Sequence, residues 1–366
     1  MAASSNRLAV ALFSGGLDSI LAAKLVQEQG IQVIGLHFVS PFFGKPDMLA
    51  RWETLYGLPL RAVDISGPFV RMLVRRPEHG FGSVLNPCVD CKILMMRHAR
   101  AIMEELGASC IVSGEVLGQR PMSQRRDTLN VIRRDAEVRE SLLRPLSAQH
   151  LDPTEAELSG LIDRTRLLGI SGRGRKDQMI LAERFGLQEI PAPAGGCRLT
   201  EQENARSYWP VLLHAPDPAA SDFILANTGR QYWHDHDLPD QPALWLIIGR
   251  NQDDNTALMS LAGENDLVFK TRDYPGPIAI ARHFGQDWSN EAVQAAASLI
   301  ASYSPKCVRE IGDSAVQAAV RVHAGSLDNP GHVVMITPSR QPVFGWREYS
   351  WPEAHEAIRA EARARG

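Results

Sequence analysis

Ser14-Gly15-Gly16-Leu17-Asp18-Ser19 stands between an apolar run at residues 8–13 and a second apolar series at residues 20–26. The first run reads as a buried parallel strand, and the positions after the loop recur at helical spacing. A strand, a two-glycine turn and a helix N-terminus together make an anion site. The glycines let backbone N–H groups approach phosphate oxygens, and the helix dipole favours negative charge there. Ser14 and Ser19 add hydroxyl donors, and Asp18 can hold the Mg²⁺ that accompanies a nucleotide. The pattern is neither Gly-Lys-Ser/Thr after a longer loop nor G-x-G-x-x-G.

Beyond the loop, residues 32–38 read as a second core strand, residues 47–56 as a helix and residues 60–65 as a third strand. Strands alternating with helices predict an α/β fold with a doubly wound parallel sheet. In such a sheet the ligand sits beyond the carboxyl ends of the strands. The ends of the first two strands, around Ser14 and residues 38–40, are therefore expected to line a nucleotide pocket. His37 reads as a packed strand residue rather than a catalyst.

Asn86-Pro87-Cys88-Val89-Asp90-Cys91-Lys92 comes next. Its two thiols lie at the start of a helix expected over residues 93–106, where both can face one metal or cluster. The helix N-terminus is expected to lower their pKa and favour thiolates. C-x-x-C by itself leaves zinc, iron–sulfur, redox chemistry and coincidence open. A strand at residues 109–113 ends at Gly114-Glu115 and brings both residues to the pocket mouth, while Cys110 within it reads as a small buried hydrophobe. Gln119, Arg120 and Gln124 follow in a polar loop and are candidate contacts for phosphate or RNA backbone. Residues 127–164 hold helical patches interrupted by Leu143-Arg144-Pro145-Leu146.

Gly172-Arg173-Gly174-Arg175-Lys176 is a basic loop leading into a helix at residues 177–185, and it can bind the phosphates of tRNA or ATP. Cys197 follows Gly195-Gly196 in a proline-pinned loop, where the backbone can approach whatever the sulfur binds. Cys88, Cys91 and Cys197 thus form a candidate three-thiolate set, which on a cubane leaves one iron open to an exogenous ligand. Zinc and direct persulfide or disulfide chemistry are the alternatives.

The 366 residues, 44% of them hydrophobic and 22% charged, describe a globular chain long enough for two domains. A net charge of −3 gives no global argument for nucleic acid, although residues 71–176 carry more Lys and Arg than Asp and Glu. Neither a signal-peptide core nor a membrane-length apolar stretch is read. Five cysteines suit a reducing cytoplasm better than a disulfide framework.

The glycine loop resembles the PP-loop of ATP pyrophosphatases, which split ATP between its α- and β-phosphates and adenylate an oxygen of the substrate. Together with Asn-Pro-Cys-x-x-Cys-Lys, Gly-Glu-Val-Leu-Gly-Gln-Arg-Pro-Met-Ser-Gln and Ala-Gly-Gly-Cys-x-Leu-Thr, over residues 7–205, it resembles the iron–sulfur-dependent tRNA thiolation enzymes, specifically the 4-thiouridine synthetase-like PP-loop proteins. The resemblance implies that Ser14, Gly15, Gly16, Asp18 and Ser19 bind ATP with Mg²⁺, beside Gly114 and Glu115. It implies that Cys88, Cys91 and Cys197 hold a [4Fe-4S] cluster and act with Asp18 in catalysis. ATP would adenylate a tRNA base carbonyl, uridine giving 4-thiouridine, and sulfide held on the cluster would replace the oxygen as AMP departs. The implied partners are tRNA and a sulfur donor, inorganic sulfide or a cysteine desulfurase, with room for a homodimer. No segment corresponding to a THUMP or rhodanese-like domain is read, so RNA binding is expected from elsewhere.

The second half can supply it. Gly249-Arg250-Asn251 and Asp273-Tyr274-Pro275-Gly276 are similar to the RNA-binding domain of NFACT proteins, with Arg250, Asn251, Lys270 and Arg272 as candidate RNA contacts beside Arg120, Gln124, Arg173, Arg175 and Lys176. The expected organisation is a PP-loop domain over residues 1–207 and a smaller α+β domain over residues 208–366, with an amphipathic helix at residues 289–303 and a helical tail. Trp233-His234-Asp235-His236-Asp237 reads as polar surface, and Cys307 is given no role. Two other functions compete: a PP-loop amidotransferase or ligase of a small molecule with a zinc site, and a nucleotide-sensing RNA-binding protein.

Overall fold

The computed structural model describes residues 7–191, 196–234, 243–285, 287–311, 316–341 and 344–365. Residues 192–195 before Cys197, and Asp235, His236 and Asp237, lie outside the described residues. The chain divides into two compact units, Met1–Arg198 and Leu199–Gly366. No helix among the described residues is long and apolar enough to cross a membrane.

The first unit runs β1 (Leu8–Leu12), α1 (Leu17–Gln27), β2 (Gln32–Val39), α2 (Leu49–Tyr56), β3 (Leu60–Asp64), α3 (Ser66–Arg75), α4 (Cys88–Leu106), β4 (Cys110–Ser113), α5 (Arg126–Asp135), β5 (Leu142–Leu143), α6 (Glu155–Leu158) and α7 (Lys176–Arg184). Its five strands are all parallel, in the order β3-β2-β1-β4-β5. The doubly wound sheet expected from the alternation is therefore present. The order reverses between β1 and β4, and at such a switch point a crevice opens beyond the strand ends. Leu12 pairs with Ser113 there, so the loops after β1 and β4 leave the sheet side by side.

The strand β1 is apolar throughout because both its faces are covered. In α1, Ile20, Leu21 and Leu25 are each almost fully buried, worth about 1.5–3 kcal/mol apiece. That helix is buried on several sides and packs against α7, which fixes the direction in which its N-terminus points. The short β5, inside the stretch read as an interruption between helical patches, is a fifth strand paired with β4.

The second unit comprises α8 (Gln202–His214), α9 (Ala220–Leu225), β6 (Arg230–His234), β7 (Leu244–Ile248), α10 (Gln252–Leu261), β8 (Leu267–Thr271), β9 (Ile278–His283), α11 (Asn290–Ala301), α12 (Pro305–Ile311), β10 (Ala318–Ala324), β11 (Gly331–Ile336) and α13 (Trp351–Arg365). Its six strands form an antiparallel sheet in the order β11-β10-β8-β9-β7-β6. The Ala-rich face of α11 packs on Leu246, Phe269, Ala279 and Val320 of this sheet. Cys307 is fully buried in the same core. Arg282, mostly enclosed, lies between two carboxylates, bonding Asp266 at 2.7 and 3.0 Å and also pairing with Asp222.

Removing one member of a buried ion group leaves uncompensated charge. Arg282→Met strands two acids and is expected to destabilise the second unit by about 3–5 kcal/mol. A denaturant titration of the variant that matches wild type would show that the triad is dispensable.

Candidate active site: the phosphate loop and the cysteine pair

Gly15 adopts a φ of +76°, which an L side chain takes only at a cost. A Cβ there would also lie 2.7 Å from the Trp52 ring. Gly16 is the N-cap of α1 and has no side chain to satisfy the first-turn N–H groups. The two serines turn inward. The Ser19 hydroxyl donates to Gly16 O at 2.7 Å and accepts from Ser14 N at 3.3 Å, while Ser14 Oγ accepts from Gly16 N at 3.3 Å. These hydroxyls brace the loop, and the backbone of the first turn of α1 is what faces an arriving anion.

Below the loop, His37 is buried. Lys45 N–H donates to its Nε2 at 2.8 Å, so Nδ1 carries the proton and donates to Phe13 O at 2.9 Å. His37 thus joins the strand before the loop to the segment after β2, in the packing role expected of it. Burial pushes its pKa below the ordinary 6.5, against the pull of the Phe13 carbonyl and Asp47.

Gly114 closes the site from the other strand. A Cβ on it would stand 2.5 Å from the carbonyl of Asp18 and 2.6 Å from Ser19 N. Its contribution is a backbone approach that shapes the loop. Asp18 is held through Oδ2, which accepts from Gln119 Nε2 at 3.2 Å, and its buried Oδ1 has no hydrogen-bond partner among the described residues. A buried carboxylate oxygen without a donor is costly unless a cation or a ligand donor completes it.

Glu115, expected at the pocket mouth, is almost fully buried and bonds Arg144 at 2.9 Å. Burial pushes its carboxyl up, but Arg144, Lys92 and the Ser113 hydroxyl outweigh this and hold it below the usual range. Its Oε1 has no hydrogen-bond partner among the described residues.

The loop after Glu115 reaches the cysteines. Asn86 Nδ2 donates to Cys88 Sγ at 3.1 Å and lies 3.6 Å from Met122 Sδ. Cys88 and Cys91 occupy the first turn of α4, one turn apart on the same side. The expected lowering of their pKa fails for Cys91. Burial of its thiol, with Cys197, Cys88 and Asp90 adding to the effect against Lys92, pushes it far up. The helix dipole is outweighed by desolvation and by neighbouring sulfur. Cys197 is brought into the range of Cys91, and the next residue, Arg198, is tied by its N–H to Phe42 O at 2.9 Å. Among the described residues no three His, Cys, Asp or Glu side chains are gathered as a metal-ligand group.

The basic loop also joins this assembly. Gly172 N–H donates to Leu117 O at 2.7 Å, and this places the Arg173–Lys176 segment beside the Gln119 loop. Arg120, Arg173 and Lys176 are exposed, Arg175 is half-buried, and Gln124 is buried. In the second unit Arg250 pairs with Asp254 at 2.7 Å, Asn251 caps α10 by accepting from Asp254 N at 2.9 Å, and Arg272 pairs with Asp273 at 2.9 Å. Lys270 is exposed on β8, opposite Arg321 of β10. Arg144 and Trp52 were not singled out by motif, and Asn86 was quoted only as the start of the cysteine motif, with no role given to its amide. The one available signal was Arg144, a charge inside an apolar run.

Residues 4–152 match the family model of the thiamine biosynthesis protein (ThiI). The first unit carries a ThiI-type PP-loop domain. Residues 239–332 match the model of the NFACT protein RNA binding domain, as the Gly-Arg-Asn and Pro-Gly turns had suggested. The ThiI-type domain is similar to a probable tRNA sulfurtransferase of Thermococcus kodakarensis, 34% identical over 114 residues, or 30% of this chain and 30% of that protein. It is similar to a second from Lysinibacillus sphaericus, 30% identical over 152 residues, covering 40% and 36% of the two chains. A tRNA-specific 2-thiouridylase of Nitratidesulfovibrio vulgaris is 39% identical over 94 residues, covering 24% and 27%. The chain thus spans about a third of the length of the curated relatives it matches.

Two outcomes follow for the ThiI-type domain. Gly114→Ala forces apart two backbones that cannot yield, so it is expected to cost about 1–3 kcal/mol of stability. Unchanged melting would refute the close approach. A histidine held neutral in the fold stabilises it fully above the unfolded pKa of 6.5, and this stability is lost as pH falls below it. Denaturation at pH 7.5 and 5.5 is expected to lose more stability in wild type than in His37→Gln.

Proposed function

We propose that the chain is an ATP-dependent tRNA sulfurtransferase. The observation that carries this reading is a single loop with two ends. Gln119 holds Asp18 of the phosphate loop, and Met122 meets Asn86, which donates to Cys88. A site that activates an oxygen with ATP and a site bearing thiols are thereby built on one element.

In this reading the first-turn backbone of α1 holds the pyrophosphate end of ATP, and Asp18 Oδ1 would hold the accompanying Mg²⁺. A base carbonyl oxygen attacks the α-phosphorus, the bond to pyrophosphate breaks, and the electron pair leaves with pyrophosphate. Sulfide then adds to the activated carbon, the carbon–oxygen bond breaks, and AMP carries the base's oxygen away. The electropositive first-turn backbone stabilises charge on the departing pyrophosphate, and Mg²⁺ held by Asp18 would supply further Lewis-acid stabilisation.

Cys88 and Cys197 both lie within electrostatic range of Cys91, and thiols so placed suit a soft metal centre. Buried thiolates are unfavourable alone, as the upward shift at Cys91 shows, and a cationic centre removes that penalty. Cys88, Cys91 and Cys197 would hold a [4Fe-4S] cluster, which supplies one coordination position without a protein ligand, open to sulfide. Asn86 orients Cys88 by donating to its sulfur, and Lys92 offsets negative charge beside it. Uridine giving 4-thiouridine is the product we assign, with inorganic sulfide or a cysteine desulfurase as donor and a reducing cytoplasm as compartment. The second unit holds the RNA, as the NFACT match supports.

Asp18→Asn is expected to lower ATP–pyrophosphate exchange at least about 100-fold while leaving iron content unchanged. Cys197→Ser is expected to do the reverse, losing iron and acid-labile sulfide in anaerobically purified protein and abolishing thiolation of tRNA. Zinc instead of iron in the wild-type protein, or thiolation surviving Cys197→Ser, would overturn the cluster assignment.

A further inference from the structure

The second unit contains a cavity of about 240 Å³ between the turn from β7 to α10, the turn from β8 to β9 and the turn from α11 to α12. Its polar side is formed by Arg230, Arg250, Asn251, Gln252 and Asn255, and its other side by Pro275, Pro277, Tyr303 and Pro305. Two arginines and three amides line the space, and no carboxylate among the described residues does.

Arg230 decides the chemistry. Its guanidinium lies over the Tyr303 ring, 4.4 Å from the centroid, and donates through Nη1 to Gly249 O at 3.2 Å. Stacking and one carbonyl orient the group without neutralising it. Arg340 lies over the same ring at 4.7 Å and adds a second cation nearby. Arg250 is positioned by Asp254, at 2.7 Å through Nε and 3.3 Å through Nη2. Tyr303 is itself fixed through its hydroxyl to Tyr232, and the turns carry proline, so the cavity is largely preformed. A planar fork of donors held in a rigid, acid-free recess suits the tetrahedral oxygens of a phosphate group.

We infer that this cavity is a phosphate pocket through which the second unit grips one phosphodiester of an RNA strand. The inference rests on the reading of that unit as RNA-binding and adds to it the place and the group recognised. The sheet cations Lys270 and Arg321 lie outside the pocket lining and are not part of the grip.

The test uses the full chain and tRNA, with affinity measured across a salt series. Arg230→Gln removes the charge and keeps a polar, uncharged side chain. Gln252→Glu places a like charge against the phosphate at the first position of α10, where the helix dipole tolerates or favours an acid, so folding is preserved. Each is expected to weaken tRNA binding about tenfold, and Arg230→Gln also to reduce the slope of log K against log salt by about 1. Arg359→Gln, an exposed arginine on α13, is expected to bind as wild type does. Wild-type affinity and slope in both pocket variants, with tRNA still bound, would overturn the pocket alone. Failure of the wild-type chain to bind tRNA would overturn the RNA reading and the pocket with it. AMP competing as well as an oligoribonucleotide of equal phosphate concentration would replace the strand by a free nucleotide.

Discussion

At the switch point of the parallel sheet, the end of β4 lies against the first turn of α1 so closely that no side-chain atom fits between them. Gly114 meets the carbonyl of Asp18 and the N–H of Ser19 directly. Two parallel strands bring their carboxyl ends together, and each must then leave in its own direction. The glycine lets them do so while the first-turn N–H groups of α1 stay turned to the crevice. Everything that follows in the first unit depends on that register. Were the two chains a side chain apart, the Gln119 loop that leaves β4 would no longer reach Asp18.

That loop is held at several points by short-range bonds. Gly118 N–H donates to Gln124 O at 2.7 Å and closes the loop on itself, while Gly172 N–H fixes Leu117 from the other side. Gln119 and Met122 are thereby presented to different neighbours, an anion-binding turn and a thiol-bearing turn. Both neighbours are helix N-termini, of α1 and α4. Positive dipole ends set close together favour negative ligands at each, whether phosphate or thiolate. Burial opposes the second of these. At Cys91 desolvation exceeds the dipole and pushes the thiol up.

The parts legible in sequence were those whose physics is local. A buried strand, two glycines and a helix are written in adjacent residues, and the structure reproduces them as β1, the loop and α1. The role of His37 was legible too, because a core strand buried on both faces leaves a histidine little but packing. The strand β5 was not, since a two-residue strand beside arginine and proline has the composition of a break. Arg144 earns its place there only through Glu115, 29 residues earlier, which no local window contains. The thiol pKa direction was misread for a similar reason: helix position is visible in sequence, whereas the sulfur of Cys197 and the enclosure of Cys91 are tertiary facts. In the second unit the Gly-Arg-Asn turn was visible, but the cavity beside it also needs Arg230 and Tyr303, and these approach from separate elements.

The second unit treats its arginines in two physically opposite ways. Arg282 is mostly enclosed and faces Asp222 and Asp266, so its charge is answered within the protein. Such a group contributes specificity to the packing and offers nothing to a ligand. Arg230 is oriented by an aromatic ring and a backbone carbonyl, neither of which carries a formal charge. An aromatic quadrupole and a carbonyl dipole fix direction at modest energy, about 0.5–2 kcal/mol for the ring. The unit charge remains for an incoming anion, in a recess where protein walls reduce solvent screening. Orientation without neutralisation is what separates a recognition arginine from a structural one, and here both occur in one sheet domain.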